Sequence, residues 1–286
     1  MNGKICLITG ATSGIGKAAA FKLADLGASL ILLSRNEEKG EKICKKIRKR
    51  NKNAQVKFYK VDLSSMKEVK NVVGKIKSDF NQIDVLINNA GARFDNYYKN
   101  DEGIELTFAT NHLGHFILTL SLIEMLRKST QGRIINVSSP AHSRATEDLD
   151  DIVAPANYDR RLAYGRSKLA NLYFTYELHV KLENTNIAVN AVDPGGVATN
   201  FSRNNGLYAW LKHYLSYILQ LKLISPQKAA ETIVYLSSSE EVSGITGKYF
   251  FEKKEISSSP ASYSKEAALK LWQLSLKLTG MDYLQI

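Results

Sequence analysis

Two residues four positions apart, Tyr164 and Lys168, form a pair that could move a proton. They lie in a predicted helix, where residues at this spacing project from the same face. A nearby ammonium favours the phenolate form of a tyrosine over the phenol, which suits the side chain to proton transfer. The pair could give a proton to a carbonyl oxygen or take one from an alcohol. Because this spacing also arises by chance, its interpretation depends on the elements around it.

A glycine-rich segment, Thr9–Gly16, stands between a predicted strand and a predicted helix. Glycines permit a tight turn and close backbone approach, while a helix N-terminus presents unpaired N–H groups and a positive dipole end. A dinucleotide pyrophosphate would fit there. The glycine spacing is G-x-x-x-G-x-G rather than the more usual G-x-G-x-x-G, so a purely structural strand-to-helix turn remains an alternative.

The end of the second predicted strand bears on the choice of cofactor. An NAD site usually has an aspartate or glutamate there to bind the ribose 2′-hydroxyl. This chain has Ser34-Arg35-Asn36 instead, without a carboxylate. The planar guanidinium of Arg35 suits the 2′-phosphate of NADP, although an arginine exposed in a turn would look the same in sequence.

Short apolar runs rich in branched residues alternate with helical patterns along the chain. The predicted strands are Ile5–Thr9, Leu30–Ser34, Val56–Asp62, Val85–Asn88, Arg133–Ser138, Ala188–Val192 and Lys248–Phe251. The predicted helices are Ile15–Leu26, Glu37–Asn51, Lys67–Asp79, Gly103–Lys128, Leu162–Glu183, Pro226–Ser237 and Lys265–Leu278. This alternation predicts a doubly wound α/β Rossmann fold, with a seven-stranded, mostly parallel sheet and helices on both faces. No repeat or linker divides the chain, so we expect a single domain over residues 1–286.

Further motifs follow in a characteristic order. They are Thr9–Gly16, Asn88-Asn89-Ala90-Gly91, Asn111, Ser138-Ser139, Tyr164-x-x-x-Lys168 and Pro194-Gly195. In their order and spacing the chain resembles the short-chain dehydrogenase/reductase family, from about Lys4 to about Phe251. The segments Asn111–Phe116, Arg133–His142 and Leu162–Asn171 are most similar to retinol dehydrogenase-like members of that family.

The resemblance implies a role for each matched residue. Tyr164 would be the general acid/base, and Lys168 would hold the nicotinamide ribose and tune Tyr164. Ser139, rather than Ser138, would bind the substrate oxygen, and Asn111 would support a water chain toward Lys168. The other expected contacts with NADP(H) are Gly10, Thr12, Ser13, Gly14, Ile15, Gly16, Arg35, Asp62, Leu63, Asn88, Ala90, Gly91, Pro194, Gly195 and Thr199. The cofactor would supply or accept the hydride, while the protein would orient the substrate and supply a proton.

Charge and histidine content point to no additional ligand. The formal net charge is +11, with a basic run at Lys45–Lys52. No nucleic-acid motif accompanies the run, so a solvated helix face without a nucleic-acid partner is the simpler interpretation. The residues His112, His115 and His142 have no carboxylate or cysteine partner at ligand spacing. We therefore expect no metal, and we expect His112 and His115 to be packing or surface residues.

The expected location is cytoplasmic. Cys6 and Cys44 do not form a disulfide framework and are typical of free thiols in a reducing compartment. The start, Met1–Gly10, leads too soon into the glycine loop to be a signal peptide. No uninterrupted apolar stretch is long enough to span a bilayer.

An aromatic and apolar segment, Leu207–Leu221, follows Pro194-Gly195. The resemblance places a variable substrate lid there, at about residues 200–225. The segment would cover an apolar substrate, touch a membrane surface peripherally or form the contact of a homodimer, in that order of preference.

These residues predict an NADP(H)-dependent oxidoreductase. It would transfer hydride between the nicotinamide and an apolar aldehyde or ketone, or the corresponding alcohol, with retinal and retinol among the candidates. The alternative is a non-catalytic dinucleotide-sensing protein, which would not need the complete set of Asn111, Ser139, Tyr164 and Lys168. A binder of nucleic acid or anionic surfaces, supported by net charge alone, ranks third.

Overall fold

The computed structural model describes residues 1–197 and 224–282 of the chain. Its strands are β1 Ile5–Thr9, β2 Ser29–Ser34, β3 Val56–Lys60, β4 Val85–Asn88, β5 Gly132–Val137, β6 Ile187–Val192, β7 Lys248–Phe251 and β8 Lys254–Ile256. They form one sheet in the order β3-β2-β1-β4-β5-β6-β7-β8. The pairs from β3 through β7 are all parallel, and β8 pairs with β7 in the antiparallel sense.

Helices connect these strands in the predicted alternation. They are α1 Gly14–Asp25, α2 Glu37–Arg50, α3 Met66–Asp79, α4 Leu106–Arg127, α5 Arg160–Lys181, α6 Pro226–Ser238 and α7 Lys265–Thr279. Side-chain caps define several starts: Asn36 Oδ1 accepts the N–H of Lys39 at 2.8 Å to begin α2, and Ser65 Oγ accepts that of Glu68 at 3.3 Å to begin α3. The helix α4 contains a π-helical turn at Ala109–Leu113.

The central strands are buried on both faces, and their alternation separates two hydrophobic cores. In β1, Leu7 belongs to the core that includes residues of α3, α4, α5 and α7, whereas Ile8 belongs to the core that includes residues of α1, α2 and α6. The same alternation repeats in β2, where Ile31 belongs to the first core and Leu32 to the second. This two-sided burial explains why the strands are nearly continuous apolar runs, and it confirms the doubly wound Rossmann fold.

The sheet has eight strands in the described residues, so the prediction of seven was wrong by one. The chain turns back after β7 through Glu252 and Lys253, whose φ angles of 48° and 64° build a two-residue hairpin. The added strand, β8, is three residues long, and all three residues are exposed. Sequence gave no alternating apolar pattern there, because a strand at an exposed sheet edge needs none.

The start of α4 also differs from its prediction. The helix begins at Leu106 rather than Gly103, since Gly103 has a φ of +80° and the carboxylate of Glu105 accepts the N–H groups of Thr107 and Phe108 at 2.8 and 2.7 Å. By length and composition this helix is long and apolar enough to cross a membrane, contrary to the expectation that no apolar stretch of the chain is. It is nevertheless mostly buried inside the fold, as the core helix of a folded domain would be.

The last helix, α7, closes the core against α4 and α5. The ring of Trp272 lies 5.1 Å from Phe116 and 5.9 Å from Phe174, measured between centroids. His112 on α4 adds a polar link, with Nε2 2.9 Å from Ser275 Oγ, and burial lowers the pKa of this histidine to about 3. His112 is therefore a neutral packing residue, one of the two roles expected for it.

The strand order reverses between β1 and β4, and this reversal positions the site. The chain leaves β1 toward β2 and β3 on one side of the sheet centre, and later builds β4, β5 and β6 on the other. Where the connections diverge, a crevice opens beyond the carboxyl ends of the strands.

Candidate active site

A cleft lies at this crevice. The predicted site residues that line it are Gly10, Thr12, Ser13, Gly14, Ile15, Arg35, Asp62, Leu63, Ala90, Gly91, Tyr164, Lys168 and Pro194. Residues separated by more than 180 positions in sequence thus border one surface. The fold brings together most of what the sequence motifs singled out.

The glycine loop is built for close backbone approach. Gly10 has a φ of +68°, which favours glycine, and a Cβ at Gly16 would lie 2.4 Å from Asn89 Nδ2 and 2.6 Å from Gly10 O. Gly16 therefore packs behind the loop rather than lining the cleft. At the start of α1, the side chain of Ser13 makes no cap hydrogen bond within the described residues, and Ser13, Gly14 and Ile15 all line the cleft. These features fit a pyrophosphate.

The end of β2 forms the far side of the cleft. Arg35 lines it, and the preceding Ser34 hydroxyl lies 2.9 Å from Thr12 Oγ1, which ties the glycine loop to this strand end. The segment Ser34-Arg35-Asn36 carries a cation and no carboxylate. Its charge fits a phosphate better than a ribose hydroxyl.

Tyr164 and Lys168 lie at the other end of the cleft, on α5. Lys168 Nζ is 5.7 Å from the centroid of the Tyr164 ring and donates to the carbonyl oxygen of Val137 at 3.0 Å. Lys168 is almost fully buried, and this burial lowers its pKa to about 8. A buried cation beside a tyrosine, at the end of an anion-accepting cleft, is an arrangement suited to proton transfer.

Asn111 lies behind the cleft wall, in the π-helical turn of α4. Its Oδ1 accepts the N–H of Ala92 at 2.7 Å, and its Nδ2 donates to Ala92 O and to Ser167 Oγ, both at 2.9 Å. The side chain therefore braces the loop after β4 against α5. The expected water chain toward Lys168 stays a prediction.

The two serines after β5 have different surroundings. Ser138 is buried, and its hydroxyl donates to the carbonyl oxygen of Lys168 at 2.9 Å. Ser139 is partly exposed, and its Oγ accepts the N–H of Ala141 at 3.2 Å. A hydroxyl that uses a lone pair in this way keeps its proton to donate. Of the two serines, Ser138 borders the cleft, but its hydroxyl proton is already donated to the backbone carbonyl oxygen of Lys168.

Of the two asparagines at the end of β4, the one that lines the cleft is not the one that was predicted to do so. Asn88 was expected to line the cleft but is buried, and its Nδ2 donates to Thr119 Oγ1 and Asn136 Oδ1, both at 2.8 Å. Asn89, which carried no predicted role, lines the cleft, and its Nδ2 donates to Thr9 O at 2.8 Å. The end of β4 was predicted correctly at Asn88, but the strand boundary alone did not show that the Asn88 side chain turns inward while Asn89, the next residue, lines the cleft.

Asp62 lines the cleft, whereas the predicted contact Gly195 is not among its lining residues. Asp62 Oδ1 accepts the N–H and the hydroxyl of Ser64 at 2.9 and 2.8 Å, which shapes the turn after β3. Asp193 Oδ1 accepts the N–H of Gly195 at 2.7 Å and so orders the turn after Pro194. Burial raises the pKa of Asp193 to about 6. The predicted contact Thr199 and the predicted lid at 200–225 fall outside the described residues, except for the lid's last two positions.

Comparison with known proteins identifies the family. Residues 4–207 match the model of the short chain dehydrogenase family. The chain is 38% identical to human retinol dehydrogenase 13 over 283 residues, which cover 98% of this chain and 86% of that protein. It is 35% identical to human retinol dehydrogenase 14, with 98% and 88% covered.

The chain belongs to the short-chain dehydrogenase family.

Solved structures share the fold of this chain. A putative uncharacterized protein from Mycobacterium paratuberculosis superposes with a TM-score of 0.78 at 29% identity, covering 99% of this chain and 95% of its own. The L-sorbose reductase of Gluconobacter frateurii, complexed with NADPH and L-sorbose, shares the fold with a TM-score of 0.71 at 24% identity, covering 92% and 98%. Family membership makes this dehydrogenase an oxidoreductase of alcohol and carbonyl groups that uses a nicotinamide dinucleotide.

The close approach at Gly16 yields a stability test. In this dehydrogenase, Gly16→Ala should lower the free energy of unfolding by about 1–3 kcal/mol, because the new methyl group displaces the Asn89 amide and meets Gly10 O. Gly74→Ala is the control: Gly74 is exposed in α3 with nothing within 4 Å of its Cβ position, so alanine should stabilise the helix by about 0.5–1 kcal/mol. Urea unfolding measures both. Equal effects of the two substitutions would contradict the proposed packing of the loop.

Proposed function

We propose that this protein is an NADP(H)-dependent oxidoreductase that acts on apolar aldehydes or ketones and on the corresponding alcohols. The observation that carries the proposal is the span of the cleft, which runs from Arg35 at the end of β2 to Tyr164 and Lys168 on α5. One end offers the guanidinium of Arg35, and the other offers a proton donor beside a buried ammonium. A dinucleotide that carries a 2′-phosphate could contact both ends of the cleft.

The residues of the chain would hold NADP(H) at three places. The glycine loop and the start of α1 would take the pyrophosphate, Arg35 the 2′-phosphate, and Lys168 the nicotinamide ribose. When bound, the cofactor supplies or accepts the hydride. Every other task falls to the protein, which must orient the carbonyl group and handle one proton for each hydride moved.

The proton would pass through Tyr164. In the direction of reduction, its hydroxyl gives a proton to the carbonyl oxygen as the carbon gains hydride, which converts the carbonyl to an alcohol. The hydroxyl of Ser139 would donate a hydrogen bond to the same oxygen and hold it in place. Lys168 would stabilise the phenolate that Tyr164 leaves behind, since an ammonium favours the charged form of its neighbour.

The apolar substrate class is supported by the relatives. Several curated relatives that match 98% of the chain are named retinol dehydrogenases. A panel of aldehydes and ketones that includes retinal, assayed by NADPH oxidation, tests this part of the proposal. Turnover restricted to small polar carbonyls would contradict it.

The choice of NADP(H) over NAD(H) depends on Arg35. Removing it by Arg35→Ala should weaken NADPH affinity about tenfold to a hundredfold, because a charge-assisted hydrogen bond to phosphate is worth roughly 1.5–3 kcal/mol. NADH affinity should change little. Fluorescence titration with both cofactors measures the effect.

Lys45→Ala is the matched control, because it removes the same charge from an exposed position of the basic helix α2. It should leave both affinities nearly unchanged. An unaltered preference in Arg35→Ala, or equal loss in the two variants, would show that another group selects the cofactor.

The proton-transfer role of Tyr164 has its own test. Tyr164→Phe should lower kcat by about 10²–10⁴-fold while NADPH still binds, because positioned proton transfer contributes a factor of this order. Tyr173→Phe is the control on the same helix, since its buried hydroxyl donates to Ala261 O at 2.8 Å, away from the cleft. That variant should lose about 1 kcal/mol of stability and keep its turnover.

Near-normal turnover in Tyr164→Phe would mean that the proton comes from another group. NADPH binding without turnover by the wild-type protein on any carbonyl of the panel would favour the alternative function, a non-catalytic dinucleotide sensor.

A further inference from the structure

A buried histidine, His115, makes hydrogen bonds through both of its ring nitrogens. Nε2 lies 2.9 Å from Thr9 Oγ1, at the end of β1, and Nδ1 lies 3.0 Å from the carbonyl oxygen of Asn111, in the π-helical turn of α4. The side chain is 2% exposed, so it lies behind the cleft. It connects the element that begins the glycine loop with the element that braces the opposite wall.

The partners of His115 determine which ring nitrogen carries the proton. The carbonyl oxygen of Asn111 can only accept, so Nδ1 must donate to it. Burial lowers the pKa of His115 to about 4, so the ring is neutral near pH 7 and has a single N–H. Nε2 therefore accepts, and the hydroxyl of Thr9 is its donor.

This assignment saturates the hydroxyl of Thr9. Its oxygen accepts the backbone N–H groups of Asn89 and Ala90, both at 2.9 Å, while its proton points to His115. The alternative acceptor, Ile87 O, is more distant at 3.4 Å. Asn89 and Ala90 both line the cleft. His115 therefore orients the Thr9 hydroxyl that joins the end of β1 to the loop after β4.

The connection continues from Asn111 to the helix of the proton donor. Asn111 Nδ2 donates to Ser167 Oγ at 2.9 Å, and Ser167 Oγ donates to the carbonyl oxygen of Tyr164 at 2.8 Å. Hydrogen bonds therefore link Thr9 to His115 and His115 to the backbone of Asn111, and the side chain of Asn111 carries the connection on through Ser167 to the backbone of Tyr164. Hydrogen-bonded side chains inside a protein are short and directional, so such a path fixes relative positions.

We propose that His115 is a positioning residue that holds the cofactor-binding ends of β1 and β4 in place relative to the helix of Tyr164. The inference rests on the proposed function, because it assigns His115 to the same cleft. It requires that NADPH affinity depend on the link to Thr9 and that turnover depend on the link to Asn111.

Three substitutions separate the two links. His115→Phe keeps a ring of similar size and removes both hydrogen bonds, so NADPH affinity and kcat should each fall by about tenfold. His115→Gln extends an amide to the place of Nε2, where it can accept from Thr9, and should restore most of the affinity. His115→Asn places its amide near Nδ1, where it can donate to Asn111 O, and should restore most of kcat.

The matched control is His112→Phe. His112 is also buried and neutral, and it lies three residues earlier on α4, but its Nε2 is bonded to Ser275 on α7. This variant should lose stability while NADPH affinity and kcat stay within about twofold of wild type. The positioning role is wrong if His115→Phe changes NADPH affinity and kcat no more than His112→Phe does. It is also wrong if His115→Gln does not preferentially restore affinity and His115→Asn does not preferentially restore kcat.

The tautomer provides a test that does not depend on activity. Two-dimensional ¹H–¹⁵N spectra of the wild-type protein, with the His115 signals identified by their loss in His115→Gln, should show a neutral ring protonated at Nδ1 near pH 7. A ring protonated at Nε2, or a charged ring, would overturn the inference. A wild-type protein that shows the expected tautomer but neither binds NADPH nor turns over a carbonyl would instead contradict the proposed function.

Discussion

The meeting of β1 and β4 at their carboxyl ends is the constraint on which the rest of this structure depends. The two strands are parallel neighbours, and the Thr9 hydroxyl at the end of β1 accepts two backbone N–H groups from the loop after β4. Gly10 and Gly16 permit this approach, because a methyl group at either position would collide with Asn89 or Ala90. The same point is where the strand order reverses, so a ligand cleft and a tight backbone junction coincide.

Around this junction, buried polar side chains bond to one another, and a buried cation lies close to them. Thr9, His115, Asn111 and Ser167 exchange hydrogen bonds through the centre of the molecule. Lys168, by contrast, has only a carbonyl oxygen as its hydrogen-bond acceptor among the described residues, and burial lowers its pKa to about 8. An anionic ligand in the cleft would favour the protonated form of Lys168, so ligand binding and the charge beside Tyr164 are linked.

Local patterns predicted the architecture of the fold well, and they failed where tertiary contacts decide. The apolar runs of β1, β2 and β4 identified the buried strands because both faces of each strand are covered. β8 was missed because an exposed edge strand carries no apolar pattern. At the site, most of the glycine loop, Arg35, Tyr164 and Lys168 were found from sequence and line the cleft. Sequence could not show that Asn89 rather than Asn88 lines the cleft, because this depends on how the end of β4 is oriented. Nor could it show the hydrogen bond between His115 and Thr9, which are 106 positions apart in sequence.

The central claim is that the cleft aligns a nicotinamide ring with a carbonyl group beside Tyr164. The most direct test is to reduce an accepted aldehyde with NADPH carrying deuterium at C4 of the nicotinamide, prepared separately as the two stereoisomers, and to analyse the alcohol by mass spectrometry. One stereoisomer should deliver a single deuterium to the former carbonyl carbon and the other should deliver none, since a fixed cleft presents one face of the ring. An alcohol without deuterium from either form, or with equal deuterium from both, would contradict the account.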